Sequence, residues 1–192
     1  MTNDTITIVS GLPRSGTSMM MKMLAAGGLE PLTDNIRTAD EDNPKGYFEF
    51  ERVKQIENDQ AWLEDARNRV VKLISALLKH LPPSYRYKVI FMKRAMPEIL
   101  ASQRQMLIRR CEPTDKVPDD KMAAMFSKHV SQVEAWLAGQ PNIDVLYINY
   151  NDVLNDPRSH AERINIFIGG SLAVQEMISV VDHALYRQQH SA

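Results

Sequence analysis

The chain has 192 residues, 44% of them hydrophobic, and sets 23 basic against 24 acidic side chains. That balance excludes a global field that would draw it to nucleic acid or an anionic membrane, so any anion site has to be built locally from a few placed cations and backbone N–H groups. One domain over residues 1–192 is expected, large enough to bury roughly 70% of its unfolded surface, and Cys111, the only cysteine, excludes an intrachain disulfide and a thiolate metal cluster.

The first residues carry no basic leader, and no stretch approaches the roughly 20 apolar residues of a membrane span. A soluble cytoplasmic chain with neither a membrane nor a nucleic-acid partner is the expectation. Residues 5–10 (TITIVS) are β-branched and apolar and run straight into Gly11-Leu12-Pro13, which predicts a buried strand entering a turn. After Ser15-Gly16-Thr17-Ser18 comes MMMKMLAAGG, a run of helix formers closed by Gly27-Gly28. Further strands are predicted at residues 69–74 (RVVKLI), 88–92 (KVIFM) and 144–148 (DVLYI), separated by helical stretches. Short apolar strands alternating with helices predict an α/β, three-layer P-loop fold, its central parallel sheet flanked by helices, with ligands at the carboxyl ends of the strands. Residues 33–47 and 112–120 are polar and Pro-bearing, and read either as loops over a site or as plain connectors.

Gly11-Leu12-Pro13-Arg14-Ser15-Gly16-Thr17-Ser18 has the spacing of a phosphate-binding loop, in which backbone N–H groups and a helix N-terminus converge on an anion. Loops that use ATP place a lysine directly after the second glycine. Here that residue is Thr17, and its absence removes a principal cation of γ-phosphoryl transfer. The cation sits inside the loop instead, as Arg14, with hydroxyls at Ser15, Thr17 and Ser18.

Residues Pro13, Arg14, Ser15, Gly16, Thr17 and Ser18 resemble the loop with which sulfotransferases bind 3′-phosphoadenosine 5′-phosphosulfate (PAPS), often written Pro-Lys/Arg-Ser-Gly-Thr-Thr/Ser. In that family an arginine at the end of a later strand and a serine eight positions on hold the nucleotide's 3′-phosphate, a spacing that Arg94 and Ser102 reproduce. An arginine offers phosphate a planar fork of donors, and a serine on the next helix adds a hydroxyl. The resemblance thus implies two anion pockets, one beyond the first strand and one beyond the third, for the two ends of a doubly phosphorylated adenosine.

Sulfuryl transfer requires stabilisation of the oxygen that leaves with the nucleotide and removal of a proton from the acceptor. Arg14 and the loop N–H groups suit the first task. Lys72 resembles a lysine of the cytosolic sulfotransferases that lies close to the reacting groups, but the histidine they carry two residues later is Ile74 here. His80, before Leu81-Pro82-Pro83, reads as a solvated or capping residue at a helix end. The tyrosylprotein sulfotransferases, which also keep an arginine in the loop, use a carboxylate base. Asn43-Pro44-Lys45-Gly46-Tyr47-Phe48-Glu49 resembles a stretch of many bacterial family members. Glu49 is therefore the leading base, with a second reading as an acidic residue in the first turn of a helix through Phe50 to Asn58; Asp40, Glu41 and Glu51 also stay open.

Other features have plainer readings. The Met19-Met20-Met21-Met23 cluster reads as core filling, Trp62 and Trp136 as packing anchors, and Lys45, Arg104 and Arg109 as solvated cations. The sequence from Asp182 to Arg187 resembles a C-terminal stretch of bacterial members and reads as structural; Gly169-Gly170 reads as unrelated to the late glycine segment of the eukaryotic enzymes, which this chain lacks. The whole implies a PAPS-dependent sulfotransferase acting without a metal on a hydroxyl or amine of a small-molecule acceptor, with Arg14, Glu49 and Lys72 in catalysis and adenosine 3′,5′-bisphosphate as product. A P-loop phosphotransferase and a noncatalytic nucleotide-binding protein remain as alternatives. Acceptor identity and the choice between monomer and homodimer stay open.

Overall fold

Seven residues with β-branched or apolar side chains at every position but two form β1, Thr5–Gly11, whose interior is buried on both sides, as a central parallel strand requires. The computed structural model describes residues 4–34, 48–114 and 116–182. β2 (Val70–Lys72), β3 (Arg86–Lys93) and β4 (Ile143–Asn149) complete a four-stranded sheet of order β2-β1-β3-β4. All three pairings are parallel, with Val9 opposite Lys72, Gly11 opposite Met92, and Lys93 opposite Asn149.

The expected α/β layering is present. On one face lie α1 (Thr17–Ala26), α5 (Pro157–Ile168) and α6 (Val174–Ser179), with Met20, Met21, Met23, Ile164 and Met177 fully buried among them. Met20, Met21 and Met23 are therefore core, while Met19 packs half-buried against them. The opposite face is covered by 3₁₀ turns at Glu51–Gln55, Ala61–Leu63 and Ser75–His80 and by α3 (Asp119–Ala138). Trp62 is fully buried there and its indole N–H donates to the Asp59 carbonyl at 3.1 Å; Trp136 packs half-buried on the same cluster. Both act as anchors. α2 (Met96–Arg109) follows β3, and α4 (Tyr150–Asn155) follows β4.

Two expectations on extent need correction. The second strand, predicted over residues 69–74, forms only Val70–Lys72. Its outer edge is covered by the chain before it, with the Leu32 N–H donating to the Val70 carbonyl at 2.8 Å and the Val70 N–H to the Glu30 carbonyl at 2.9 Å, and beyond it Ile74 caps the next 3₁₀ turn. The helix expected through Phe50 to Asn58 is a 3₁₀ turn over Glu51–Gln55, tied to the Asp34 carboxylate by the Glu51 N–H at 2.6 Å. Gly169 and Gly170 end α5 by donating to the Asn165 carbonyl, a helix-stop role. Among the described residues no helix is long and apolar enough to cross a membrane.

The strand order places the site. From β1 the chain turns into α1 on one face, while from β3 it passes through α2 to α3 on the other. Adjacent strands whose exits diverge to opposite faces leave a crevice beyond their carboxyl ends, the usual ligand position in open α/β sheets.

Candidate active site

The loop after β1 is held in a cradle by backbone geometry. Gly11 has φ 146°, and a Cβ there would lie 2.6 Å from both the Met92 carbonyl oxygen and Ser15 Oγ. Ser15 is fully buried; its hydroxyl and its N–H both donate to the Leu12 carbonyl, at 2.7 and 3.2 Å, closing the turn. Arg14 takes a left-handed φ of 70°, uncommon for a residue with a side chain, and so leaves the turn in a direction that an ordinary residue would not. Gly16 follows at φ 98° and α1 begins without a side-chain cap, so its first N–H groups, lacking carbonyl partners within the helix, form an anion-receptive end.

Arg14, Arg94 and Ser102, which lie up to 88 positions apart in sequence, meet here. Arg14 Nε donates to Ser102 Oγ at 2.9 Å, and an Arg94 terminal nitrogen donates to the Arg14 carbonyl at 3.2 Å. The residues that the sequence reading assigned to two separate anion pockets are thus contiguous, with Arg14 hydrogen-bonded to both Ser102 and Arg94. Ser102 is buried on the inner side of α2. Arg94 follows the end of β3, its guanidinium stacked 4.5 Å from the Tyr150 ring centre, and its Nε pairs with the Glu98 carboxylate at 2.7 Å. Burial pushes the Tyr150 phenol above its ordinary range, with the Arg94 charge pulling the other way. The ring therefore stays neutral under the Arg94 guanidinium.

On the other side of the loop, Lys72 closes β2 and donates to Ser18 Oγ at 3.3 Å, with its ammonium 3.6 Å from Glu49 Oε1. Glu49 reaches that position because its carbonyl accepts from Thr33 Oγ1 at 2.9 Å and from the Asp34 N–H at 3.3 Å, which straps the segment to the chain leaving α1. Lys72 and Glu49 side chains are 14% and 27% exposed, sheltered yet open to a reactant. Of the other acidic residues, Glu51 pairs with Lys54 on the surface, and Asp40 and Glu41 lie outside the described residues, as do Lys45 and residues 183–187.

One residue was missed. His129 on α3 shares a 2.9 Å hydrogen bond with the hydroxyl of Ser75, which is buried three positions after Lys72. An imidazole thus stands near the exit of β2, where the sequence offers Ile74. No local pattern signals it, because the partners are 54 positions apart. His80 lies at the far end of the 3₁₀ turn that carries the chain back toward the start of β3, its carbonyl accepting from Gln60 at 3.1 Å. Arg104 pairs with Asp119 at 2.6 Å, both exposed, and Arg109 lies in the exposed last turn of α2.

The arrangement offers three cations, loop amides and several hydroxyls to a ligand with more than one anionic group, beside a carboxylate able to take a proton. Two solved structures share the fold at low identity. The sulfotransferase domain from the Synechococcus PCC 7002 olefin synthase aligns with a TM-score of 0.58 at 16% identity, over 95% of this chain and 79% of that one. A sulfotransferase domain from the curacin biosynthetic pathway aligns at 0.52 and 14% identity, over 92% and 77% of the two chains. No curated protein sequence matches. The sequence model of the sulfotransferase domain covers residues 4–191, so this chain belongs to the sulfotransferase domain family, whose chemistry is sulfuryl transfer.

Proposed function

We propose that this chain transfers a sulfuryl group from PAPS to a hydroxyl or amine of a small-molecule acceptor. The observation that carries the reading is that Arg14 donates to Ser102 while Arg94 donates to the backbone of Arg14, which joins the residues proposed for the two anion pockets. A mononucleotide with phosphate at one end alone has no need of the second pocket. The residues fit a doubly anionic adenosine: the loop 13–18 and the start of α1 for the 5′ end, Arg94 and Ser102 for the 3′-phosphate. Thr17, in place of the usual lysine, leaves the loop short of the cation that γ-phosphoryl transfer uses.

The donor supplies the sulfuryl group and a bisphosphate leaving group; the rest falls to the chain. In the exchange, a bond forms from the acceptor oxygen or nitrogen to sulfur while the bond from sulfur to the 5′-phosphate oxygen breaks. Arg14, always charged, and Lys72 stabilise the negative charge that gathers on the departing oxygen. Glu49, 3.6 Å from the Lys72 ammonium, takes the acceptor's proton. Lys72 links the two tasks by touching both Glu49 and Ser18 of the loop.

The test is a transfer assay with PAPS and a panel of hydroxyl and amine acceptors, alongside titration with adenosine 3′,5′-bisphosphate. Arg14→Ala is expected to lower turnover about 100-fold or more. Glu49→Gln is expected to lower kcat by about 100-fold or more, with affinity for the bisphosphate nearly unchanged. Loss of rate in His129→Asn with none in Glu49→Gln would move the base to His129. Magnesium-dependent ATP binding without any response to the bisphosphate would replace the reading with phosphotransfer.

A further inference from the structure

Glu98 is a charged side chain buried to 4% exposure, and neither anion binding nor proton transfer calls for a carboxylate at that point. A carboxylate next to a phosphate pocket opposes the ligand's charge and is costly to bury unless its oxygens are matched. Both oxygens are matched. Oε2 accepts from Arg94 Nε at 2.7 Å, and Oε1 accepts from Asn151 Nδ2 at 2.9 Å. Glu98 lies in the first turn of α2, and Asn151 directly follows Tyr150 at the start of α4. The guanidinium is therefore gripped at its Nε edge by Glu98 and on its face by the Tyr150 ring at 4.5 Å, with the arginine only 8% exposed. One terminal nitrogen, Nη1, meets the Arg14 carbonyl of the loop at 3.2 Å.

We propose that Glu98, itself held by Asn151, is a positioning residue that fixes the Arg94 fork for the 3′-phosphate and so sets the preference for a 3′-phosphorylated nucleotide; this rests on the functional reading above. A flexible arginine would have to lose rotamer freedom on binding, whereas this one is ordered by three elements beforehand. The hypothesis has a definite sign. As a bare negative charge Glu98 weakens phosphate binding, so its neutralisation would tighten the complex; as a positioning group, its neutralisation loosens it.

Isothermal titration with adenosine 3′,5′-bisphosphate and with adenosine 5′-phosphate separates these outcomes. Wild type is expected to prefer the bisphosphate, and Arg94→Ala to erase the preference; a wild type without preference sinks the functional reading and this inference with it. Given that preference, Glu98→Gln and Glu98→Ala are expected to reduce it about tenfold through the bisphosphate alone, with the monophosphate affinity within about twofold. The Glu98→Ala, Arg94→Ala double variant should lose no more than Arg94→Ala by itself, since Glu98 acts through the arginine. Asn151→Ala, which leaves the charge in place, should shift the preference the same way by about threefold. An unchanged or increased preference overturns the proposal while sparing the functional reading. Equal weakening of both ligands does the same, as does a Glu98→Gln chain that fails to fold combined with an unaffected Asn151→Ala.

Discussion

At the entrance to α1, Gly16 combines a φ of 98° with a backbone pressed against Tyr150, so that a Cβ would collide with the ring at Cδ2. The same ring carries the Arg94 guanidinium on its face. One aromatic side chain therefore spaces the phosphate loop from the second arginine. Gly16→Ala forces both an unfavourable backbone conformation and a displaced ring, and should cost about 2 kcal/mol, a fall of roughly 4–8 °C in Tm for a chain of this size. Thermal unfolding followed by circular dichroism checks the stability, and titration with the bisphosphate should show weakened binding in the same variant. At this scale the sequence was informative: glycines at 11 and 16 and the residues between them were legible because a phosphate loop is a local structure whose geometry depends on consecutive residues. The carboxylate behind Arg94 was not legible. Glu98 looks like any acidic residue in a first helical turn until α4 brings Asn151 to its other oxygen.

Between elements, the connection from β2 to α3 deserves a measurement of its own. The Ser75 hydroxyl, at the first position of the 3₁₀ turn that follows β2, meets the His129 imidazole of α3 at 2.9 Å. That contact joins the edge strand carrying Lys72 to the helix covering its face. Ser75→Ala and His129→Ala should each destabilise by about 1 kcal/mol, the size of one net hydrogen bond. Because they share one contact, the double variant should cost less than the sum, which chemical denaturation of all four chains would reveal. The strands were read correctly in place; their ends moved by no more than two residues, and β2 alone came out shorter than expected. The segment through Phe50 to Asn58 was read as a helix longer than the one that forms. Instead, the Thr33 and Asp34 contacts pull it into a short 3₁₀ turn, and that same strap delivers Glu49 to Lys72.

For the molecule as a whole, three tyrosines leave a mark on stability at high pH. Burial pushes the phenols of Tyr87, Tyr147 and Tyr150 up from their ordinary values, with nearby phenolic or acidic charge adding to the effect at Tyr87 and Tyr147 and the Arg94 charge opposing it at Tyr150. Above about pH 10 the unfolded chain releases these protons while the folded chain keeps them, so the unfolded state binds fewer protons and stability falls as pH rises. The contribution is complete below that pH and lost on the way up through the folded values. Unfolding free energy measured between pH 8 and 11.5 should be nearly flat at first and then decline, and Tyr87→Phe should show a shallower decline; an equal slope in the variant removes Tyr87 from the account. By itself, the sequence determined the α/β class, the phosphate loop and the identity of the arginines, since periodicity and turn chemistry act over neighbouring residues. Only the tertiary structure decided that Arg14 stands between Arg94 and Ser102, that Glu49 reaches Lys72, and that Glu98 holds the second arginine. Those contacts depend on the parallel order β2-β1-β3-β4, which brings the exits of distant strands to one edge of the sheet, and no local pattern of residues encodes a distance between strands.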